Sequence, residues 1–253
     1  MGTIQVELAA GQRPKVPRSR FFFVGFALFA LAITAVAFVP EYARFSTGKF
    51  PIASVLHIHA ALMEAWVAAF VLQAWLGATG RVALHRRIGP YAIALGVAAW
   101  ASMVFVEVRK LVAHPLPTEL ADYDELLQGI YVYMTFIALL LWALRERRRP
   151  PWHKRLILIA TFVALLAPIE RVEWLPEMGL GSIWASVVWI NVFLIAPLIT
   201  YDMVSAKRVH PATLWGLLLM LSAQALMALA WGTAPWRNFA FAYAHAVRAA
   251  FAP

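Results

Sequence analysis

Long apolar segments alternate with short polar ones along most of the chain. An α-helix that crosses the hydrocarbon core of a bilayer needs about 20 mostly apolar residues, and seven segments approach this length between prolines, glycines or clusters of charge. The pattern predicts an all-α polytopic membrane protein, a bundle of about seven transmembrane helices. The predicted spans are residues 21–40, 52–77, 90–112, 126–144, 156–175, 182–203 and 212–233.

The amino-acid composition agrees with this pattern. Of the 253 residues, 62% are apolar and 14% are charged, whereas about 25% of the residues of a soluble domain are charged. A single soluble core cannot cover so much apolar surface, and exposing it to water would cause aggregation. The chain contains no cysteine, which excludes disulfides, thiolate catalysis and cysteine-ligated metal centres.

The predicted spans divide the chain into three regions. Residues 1–20 are polar and basic, and we expect them to form a disordered cytoplasmic tail. Residues 21–233 contain the seven predicted transmembrane helices. Residues 234–253 carry aromatic residues among alanines, which favours a short interfacial aromatic segment at the membrane surface.

The basic residues orient the chain. With the N-terminus in the cytoplasm, the cytoplasmic segments hold 15 of the 22 lysines and arginines, as the positive-inside rule requires. This distribution predicts a multi-pass protein of the bacterial cytoplasmic (inner) membrane with a periplasmic C-terminus. The net charge of +9 then reflects topology and contact with anionic lipid headgroups, and no nucleic-acid partner is expected. The cytoplasmic segments are residues 1–20, 78–89, 145–155 and 204–211.

Two basic stretches on the predicted cytoplasmic side are alike in sequence. Residues 84–88 read Leu-His-Arg-Arg-Ile, and residues 152–156 read Trp-His-Lys-Arg-Leu. Their cationic side chains predict binding of lipid headgroups, and their similarity suggests a duplication of helix pairs. Asp202 is predicted to pair with Lys207 or Arg208. The predicted headgroup-binding residues are His85, Arg86, Arg87, His153, Lys154 and Arg155.

Together with His57-Ile58-His59, Gln73 and residues 168–171, these two stretches resemble segments of a known type of protein. The type is an uncharacterised, domain-of-unknown-function group of bacterial multi-pass membrane proteins. The resemblance covers the second to fifth spans, about half of the chain. It implies a polytopic protein of the cytoplasmic membrane and no particular activity.

The second span carries polar residues on a regular spacing. His57 and Glu64 are seven residues apart, so they point within about 20° of each other on a helix. They share that side with small residues, which mark helix contacts, whereas bulky residues mark lipid; His57 and Glu64 are therefore predicted to face the bundle interior. His59 lies on a second stripe with Trp66 and Gln73. The small residues are Ala61, Ala65 and Ala68, and the bulky ones opposite are Met63, Val67 and Phe70.

Three spans are predicted to bring ionisable groups to one depth in the outer leaflet. An aspartate, lysine or arginine costs roughly 2.5–3.5 kcal/mol at the centre of a membrane helix, so ionisable groups at membrane depth need an explanation. The second, third and fifth spans all have one end on the outer side. We call the groups near those ends the outer set, which comprises His57, His59, Glu64, Glu107, Arg109, Glu170, Arg171 and Glu173.

Two interpretations of the outer set are structural packing and metal binding. In the first, carboxylates and arginines are ion pairs at helix ends, and the histidines are hydrogen-bonded packing residues. In the second, imidazoles and carboxylates bind a divalent metal such as zinc, iron or manganese. The residues expected to bind it are His57, His59, Glu64, Glu107 and Glu170.

The third interpretation is a proton relay or a ligand-binding cavity of a transporter. The residues expected to form it are Glu64, Glu107, Arg109, Arg171 and Glu173. Haem is a less favoured cofactor than a divalent metal. A bis-histidine haem needs one imidazole from each of two helices at the same depth, and the outer helical histidines both lie on the second span.

The leading functional hypothesis is a membrane protein that binds a divalent metal or a small ligand at the outer set. The alternatives are a proton-coupled small-molecule transporter and a non-catalytic membrane assembly subunit. The sequence contains no G-x-G-x-x-G fingerprint, no P-loop and no nucleophile elbow, so it indicates no enzyme class.

Overall fold

The chain is an all-α bundle. The computed structural model describes residues 21–46, 54–113, 116–117 and 119–251, and every regular element in these ranges is helical. The predicted cytoplasmic tail, residues 1–20, lies outside the described residues. The helices are α1 Phe22–Ser46, α2 Ser54–Ala78, α3 Val82–Ala113, α4 Glu125–Arg145, α5 Pro150–Ala164, α6 Leu166–Glu170, α7 Ser182–Ala206, α8 Pro211–Ala230 and α9 Ala234–Phe251, with a 3₁₀ helix at Leu120–Asp124.

Six of the described helices are long and apolar enough to cross a membrane, namely α1 to α4, α7 and α8. The chain is therefore a polytopic membrane protein. The place of the remaining predicted span, residues 156–175, is taken by a broken helix, α5 followed by α6. Pro168 has no N–H group to donate to the carbonyl of Ala164, so the helical hydrogen bonding is interrupted there.

The broken helix lies at the centre of the bundle. Helix α5 packs against α1, α4, α7 and α8, and it is buried on nearly every side from Arg155 to Ala164. Gly216 of α8 lets the two helices come close, because a Cβ atom there would lie 2.6 Å from Ile159 Cδ1. By contrast, α2 and α3 bury few of their residues and form one edge of the bundle.

Helix α2 presents the opposite face to the bundle from the one predicted. Val67 and Phe70 are buried, whereas the small residues of the predicted contact face are exposed. The reason is Trp66, whose ring fills the space left by Gly96 of α3 and meets Phe136 of α4 edge-on. An aromatic side chain opposite a glycine made the contact that we expected from alanines. The exposed small residues are Ala61, Ala65 and Ala68.

The two ends of the bundle differ in charge. The short connections α2–α3, α4–α5 and α7–α8 lie at one end, which we call the basic end because of the arginines and lysines it carries. The connections α6–α7 and α8–α9 lie at the other, the acidic end. The helices reach into the basic connections: α3 begins at Val82 and α5 at Pro150, so the two similar basic stretches are helical.

The C-terminal segment, predicted to be interfacial, is the helix α9. It packs against α3 and the 3₁₀ helix, and Ala240 and Ala244 are fully buried there. The buried carboxylate of Asp124 accepts hydrogen bonds from Arg237 Nε at 3.0 Å and Nη2 at 2.6 Å, and from the backbone N–H of Gly232. This bonding to Asp124 raises the pKa of Arg237 and attaches α9 to the acidic end.

A buried ion pair joins three helices at the basic end. Asp202 of α7 accepts hydrogen bonds from Arg155 of α5 through Nε, at 3.0 Å, and Nη2. Its second oxygen accepts from Thr213 Oγ1 of α8 and from the backbone N–H of His210, at 2.9 Å. Arg155 is 4% exposed and Asp202 is fully buried. We call this group of four residues the basic-end junction.

Two predictions for this region are corrected by the junction. Asp202 was expected to pair with Lys207 or Arg208, which are closest in sequence; both are exposed, and Asp202 is instead bound by Arg155, 47 residues away. Arg155 was expected at the surface with lipid headgroups. Its guanidinium is buried and engaged by Asp202 and by the carbonyl of Pro151, so it does not reach the surface.

We expect Asp202→Asn to destabilise the protein by about 3–5 kcal/mol, because it leaves the buried guanidinium of Arg155 without a counter-charge. Denaturant unfolding of the purified protein in detergent measures the change. The double variant Arg155→Met/Asp202→Leu should recover most of the loss. Arg208→Gln is the matched control and should change stability little. A loss in Arg208→Gln as large as in Asp202→Asn would contradict the pairing.

The stability should also fall on acidification through His210. Its Nδ1 accepts a hydrogen bond from the N–H of Ala212 at 3.0 Å and caps α8, and burial, followed by the charge of Arg155, lowers the pKa of His210 below 6.5. The unfolded chain therefore binds the proton first as the pH drops below about 6.5. Protonation removes the acceptor, and loss of a cap costs about 0.5–2 kcal/mol.

Unfolding midpoints between pH 7.5 and 5 provide the measurement. The wild type should lose stability over this interval, and His210→Asn, whose side chain caps without titrating, should lose less. An equal decline in both proteins would show that His210 is not the responsible group.

Candidate functional site

The outer set does not form one cluster. The structure places its members at the acidic end on α2, α3, α6 and the segment after α6, but most of them are engaged in separate short contacts. Glu107 pairs with Lys110 of its own helix at 3.6 Å. Glu173 is exposed and lies 3.9 Å from Arg44. Arg109 is exposed.

The two histidines of α2 have different surroundings. His57 is exposed on the outer side of the helix, contrary to its predicted interior position. His59 is half-buried, and its Nδ1 lies 2.9 Å from Ser102 Oγ of α3. Since that hydroxyl donates to the carbonyl of Ala99, it accepts from His59, so Nδ1 carries the proton and Nε2 the lone pair. The stripe of His59, Trp66 and Gln73 is thus the one that faces α3.

Glu64 is bound by a tyrosine. The hydroxyl of Tyr42 of α1 donates to Glu64 Oε1 at 2.8 Å, which joins α1 to α2. This contact uses one carboxylate oxygen and involves neither histidine of α2. Across the described ranges, no three His, Asp or Glu side chains are grouped as metal ligands. The structure therefore gives no support to the metal set predicted from the sequence.

Glu170 differs from the other carboxylates. It ends α6, and its two oxygens accept hydrogen bonds from neutral groups on two other helices: Gln128 Nε2 of α4 and Ser182 Oγ of α7, both at 3.3 Å. Arg171, next in sequence, is turned away: its guanidinium donates to the carbonyl of Ala167 and lies 5.3 Å from the ring centre of Phe38. We call this arrangement the Glu170 contact.

A second polar group lies deeper in the bundle. Gln224 Nε2 of α8 donates to Tyr131 Oη of α4 at 2.9 Å, and its Oε1 accepts from Asn191 Nδ2 of α7 at 3.0 Å. Gln224 and Tyr131 are buried, with exposures of 7% and 4%. We call these three residues the mid-bundle triad. Most buried amides and hydroxyls have hydrogen-bond partners, and these three residues satisfy one another.

The spacing of polar residues along α7 and α8 could have predicted that these two helices share polar contacts at two depths. Asn191 and Asp202 are eleven residues apart on α7, as are Thr213 and Gln224 on α8. Eleven residues bring a side chain back to within about 20° of the same face and move it about 16 Å along the helix. The same faces of α7 and α8 therefore supply the basic-end junction and the mid-bundle triad. Tyr131 gives no comparable signal.

The polar contacts thus lie at three levels along the bundle. The basic-end junction joins α5, α7 and α8, the mid-bundle triad joins α4, α7 and α8, and the Glu170 contact joins α4, α6 and α7. On α4, Gln128 of the Glu170 contact and Tyr131 of the mid-bundle triad are one turn apart, whereas on α7 Ser182 and Asn191 are nine residues apart. Charge differs between levels, since the junction contains a matched ion pair and Glu170 has two neutral partners.

The remaining headgroup residues are divided by the structure. Arg86 and Arg87 are exposed at the basic end. Lys154 is half-buried; its Nζ lies 3.3 Å from Tyr201 Oη and 4.5 Å from the ring centre of Phe23. His85 and His153 each bond the backbone of the preceding helix.

Comparisons with known proteins yield no relative: no family model, no curated protein and no solved structure matches the chain.

Proposed function

We propose that this multi-pass protein is a proton-coupled small-molecule transporter of the bacterial cytoplasmic membrane and that Glu170 takes up the proton. The observation that carries the proposal is the Glu170 contact. A carboxylate at the end of the broken central helix is held by two neutral hydrogen-bond donors, whereas Asp202 and Asp124 in the same bundle each have an arginine.

The partners of Glu170 suit both of its protonation states. As a carboxylate, Glu170 accepts from the Gln128 amide and the Ser182 hydroxyl. As a neutral acid, it donates one hydrogen bond, and both partners also carry an oxygen that accepts one. A group whose charged and neutral forms are both satisfied can exchange a proton without leaving an unpaired polar atom.

Two arginines at the end of the bundle that holds Glu170 each have another partner in the structure. Besides Arg171, the outer end of α1 contributes Arg44, which pairs with Glu41 at 3.2 Å and lies near Glu173. The Gln128 amide and the Ser182 hydroxyl approach Glu170 from α4 and α7. Both of these hydrogen-bond donors to the Glu170 carboxylate are neutral.

The broken helix and the polar levels favour transport over metal binding. Discontinuous helices near the middle of a bundle are typical of substrate and ion sites in transporters, and polar residues inside a membrane bundle mark pathways for protons or solutes. The mid-bundle triad continues inward from the Glu170 contact, one turn further along α4. The predicted metal ligands, by comparison, are engaged separately.

The proposed orientation places the basic end in the cytoplasm and α9 at the periplasmic face. The exposed Arg86 and Arg87 support it, because basic residues are retained on the cytoplasmic side and attract anionic headgroups there. Proton uptake at Glu170 then occurs in the periplasmic half of the bundle.

Infrared difference spectroscopy of the purified protein in nanodiscs, between alkaline and acidic pH, tests proton uptake. We expect a carboxylic-acid carbonyl band that is present in the wild type, absent in Glu170→Gln, and retained in Glu107→Gln, the matched control whose carboxylate pairs with Lys110. A band that is unchanged in Glu170→Gln would contradict the assignment.

Transport itself is tested in proteoliposomes that contain a pH-sensitive dye. A panel of small solutes is added, and we expect at least one to dissipate an imposed pH gradient in the wild type and in Glu107→Gln, with the rate reduced to that of empty vesicles in Glu170→Gln. Equal rates in wild type and Glu170→Gln would refute coupling at this residue.

A further inference from the structure

A groove opens at the basic end of α4, apart from the three polar levels. Its volume is about 470 Å³, and the last turn of α4 with the residue after it forms the lining. The ring of Trp142 is half-buried, and its centre lies 6.0 Å from that of Trp152 of α5. Tryptophans at the ends of membrane helices lie at the depth of the lipid headgroups, so the groove is at that depth. We call it the α4 groove, and it is lined by Leu141, Trp142, Arg145 and Glu146.

A row of exposed side chains on α4 leads from the groove toward the middle of the membrane. Their spacing of four, three and four residues keeps them on one face of the helix. The row is about 16 Å long, which is about half of the roughly 30 Å hydrocarbon core. It is therefore as long as the acyl region of one leaflet. We call it the α4 stripe, and its members are Met134, Ala138, Leu141 and Arg145.

The charge of the groove comes from a run of basic residues that begins at Arg145. Residues 145–149 read Arg-Glu-Arg-Arg-Arg. The Glu146 carboxylate pairs with Arg149 at 3.4 Å, and its side chain is 16% exposed. Arg145 is exposed, and within the described part of the chain its guanidinium has neither a hydrogen bond nor an ion pair. The groove therefore presents an available cation at the end of an apolar row.

We propose that the α4 groove and the α4 stripe bind one anionic phospholipid of the leaflet at the basic end. The lipid phosphate pairs with the Arg145 guanidinium, whose planar fork binds two phosphate oxygens at once. One acyl chain lies along Leu141, Ala138 and Met134. The site is separate from the Glu170 contact, so it depends neither on transport nor on which leaflet faces the cytoplasm.

The shape and the charge of the site together favour an anionic lipid over other ligands. A free phosphate ion contacts the guanidinium alone and leaves the apolar members of the α4 stripe without a partner. A zwitterionic lipid brings its own cation toward the basic run, and like charges repel. A lipid with net negative charge meets the unpaired arginine and covers the apolar row at the same time.

The test uses the full chain purified in detergent. Phosphatidylglycerol, phosphatidylcholine or inorganic phosphate is added, native mass spectrometry counts the bound lipids, and the thermal unfolding midpoint reports stabilisation. The variant is Arg145→Gln, which removes the charge from the end of the α4 stripe. Arg86→Gln is the matched control, because it removes the same charge from an exposed arginine of α3 at the same end of the bundle.

We expect the wild type and Arg86→Gln to retain about one phosphatidylglycerol per chain, and Arg145→Gln to bind it roughly fivefold or more weakly. The wild type should bind phosphatidylcholine more weakly than phosphatidylglycerol. Because the lipid-induced shift is compared within each variant, a change in basal stability does not obscure the result.

Three results would overturn the proposal. Equal weakening in Arg86→Gln and Arg145→Gln would show a general attraction between the basic end and anionic lipid. Equal binding of the two lipids by the wild type would remove the role of headgroup charge. Stabilisation by inorganic phosphate as large as that by phosphatidylglycerol would assign the anion to a soluble source.

Discussion

A guanidinium group inside a membrane bundle requires a carboxylate, and the pairing of Arg155 with Asp202 determines how the central helix meets its neighbours. Because Asp202 also accepts hydrogen bonds from Thr213 and the backbone of His210, one carboxylate connects α5, α7 and α8. Breaking a buried pair of this kind is expensive, whereas its net contribution to stability is modest. The main effect of the junction is therefore to select one arrangement of the three helices, and its net contribution to the free energy of unfolding is small.

The other two polar levels extend this arrangement toward the acidic end. The mid-bundle triad uses the same faces of α7 and α8 as the basic-end junction, about 16 Å further along the helices. It also includes a residue of α4. The Glu170 contact then joins α4 and α7 to the end of the broken helix. In the basic-end junction a carboxylate is paired with a guanidinium, and in the mid-bundle triad neutral polar groups bind one another. In the Glu170 contact, the third level, a carboxylate is bound by neutral donors. That difference is the basis for assigning proton exchange to the third level.

The helical class and six of the seven predicted spans were predictable because hydropathy depends on local sequence alone. The fifth span was predicted as one continuous segment, and Pro168, which lacks an N–H group, accounts for the break found there. Contacts between helices were harder to predict from the sequence. Residue size predicted the wrong face of α2, because the fit of the Trp66 ring against Gly96 depends on how α2 and α3 pack. Asp202 was assigned to its neighbours in sequence, whereas Arg155 reaches it only once α5 and α7 are packed. Pairings of this kind depend on helix neighbours that periodicity does not reveal.

The central claim, that one carboxylate joins α4 and α7 at the end of the broken helix, can be measured with introduced cysteines, since the chain has none of its own. Gln128 and Ser182 each lie 3.3 Å from Glu170. The Gln128→Cys/Ser182→Cys pair should therefore be joined by a short bifunctional thiol reagent. The pair Gln128→Cys/Val192→Cys, with an exposed residue of α7, should not. Cross-linking of the second pair alone, or of neither, would contradict the account.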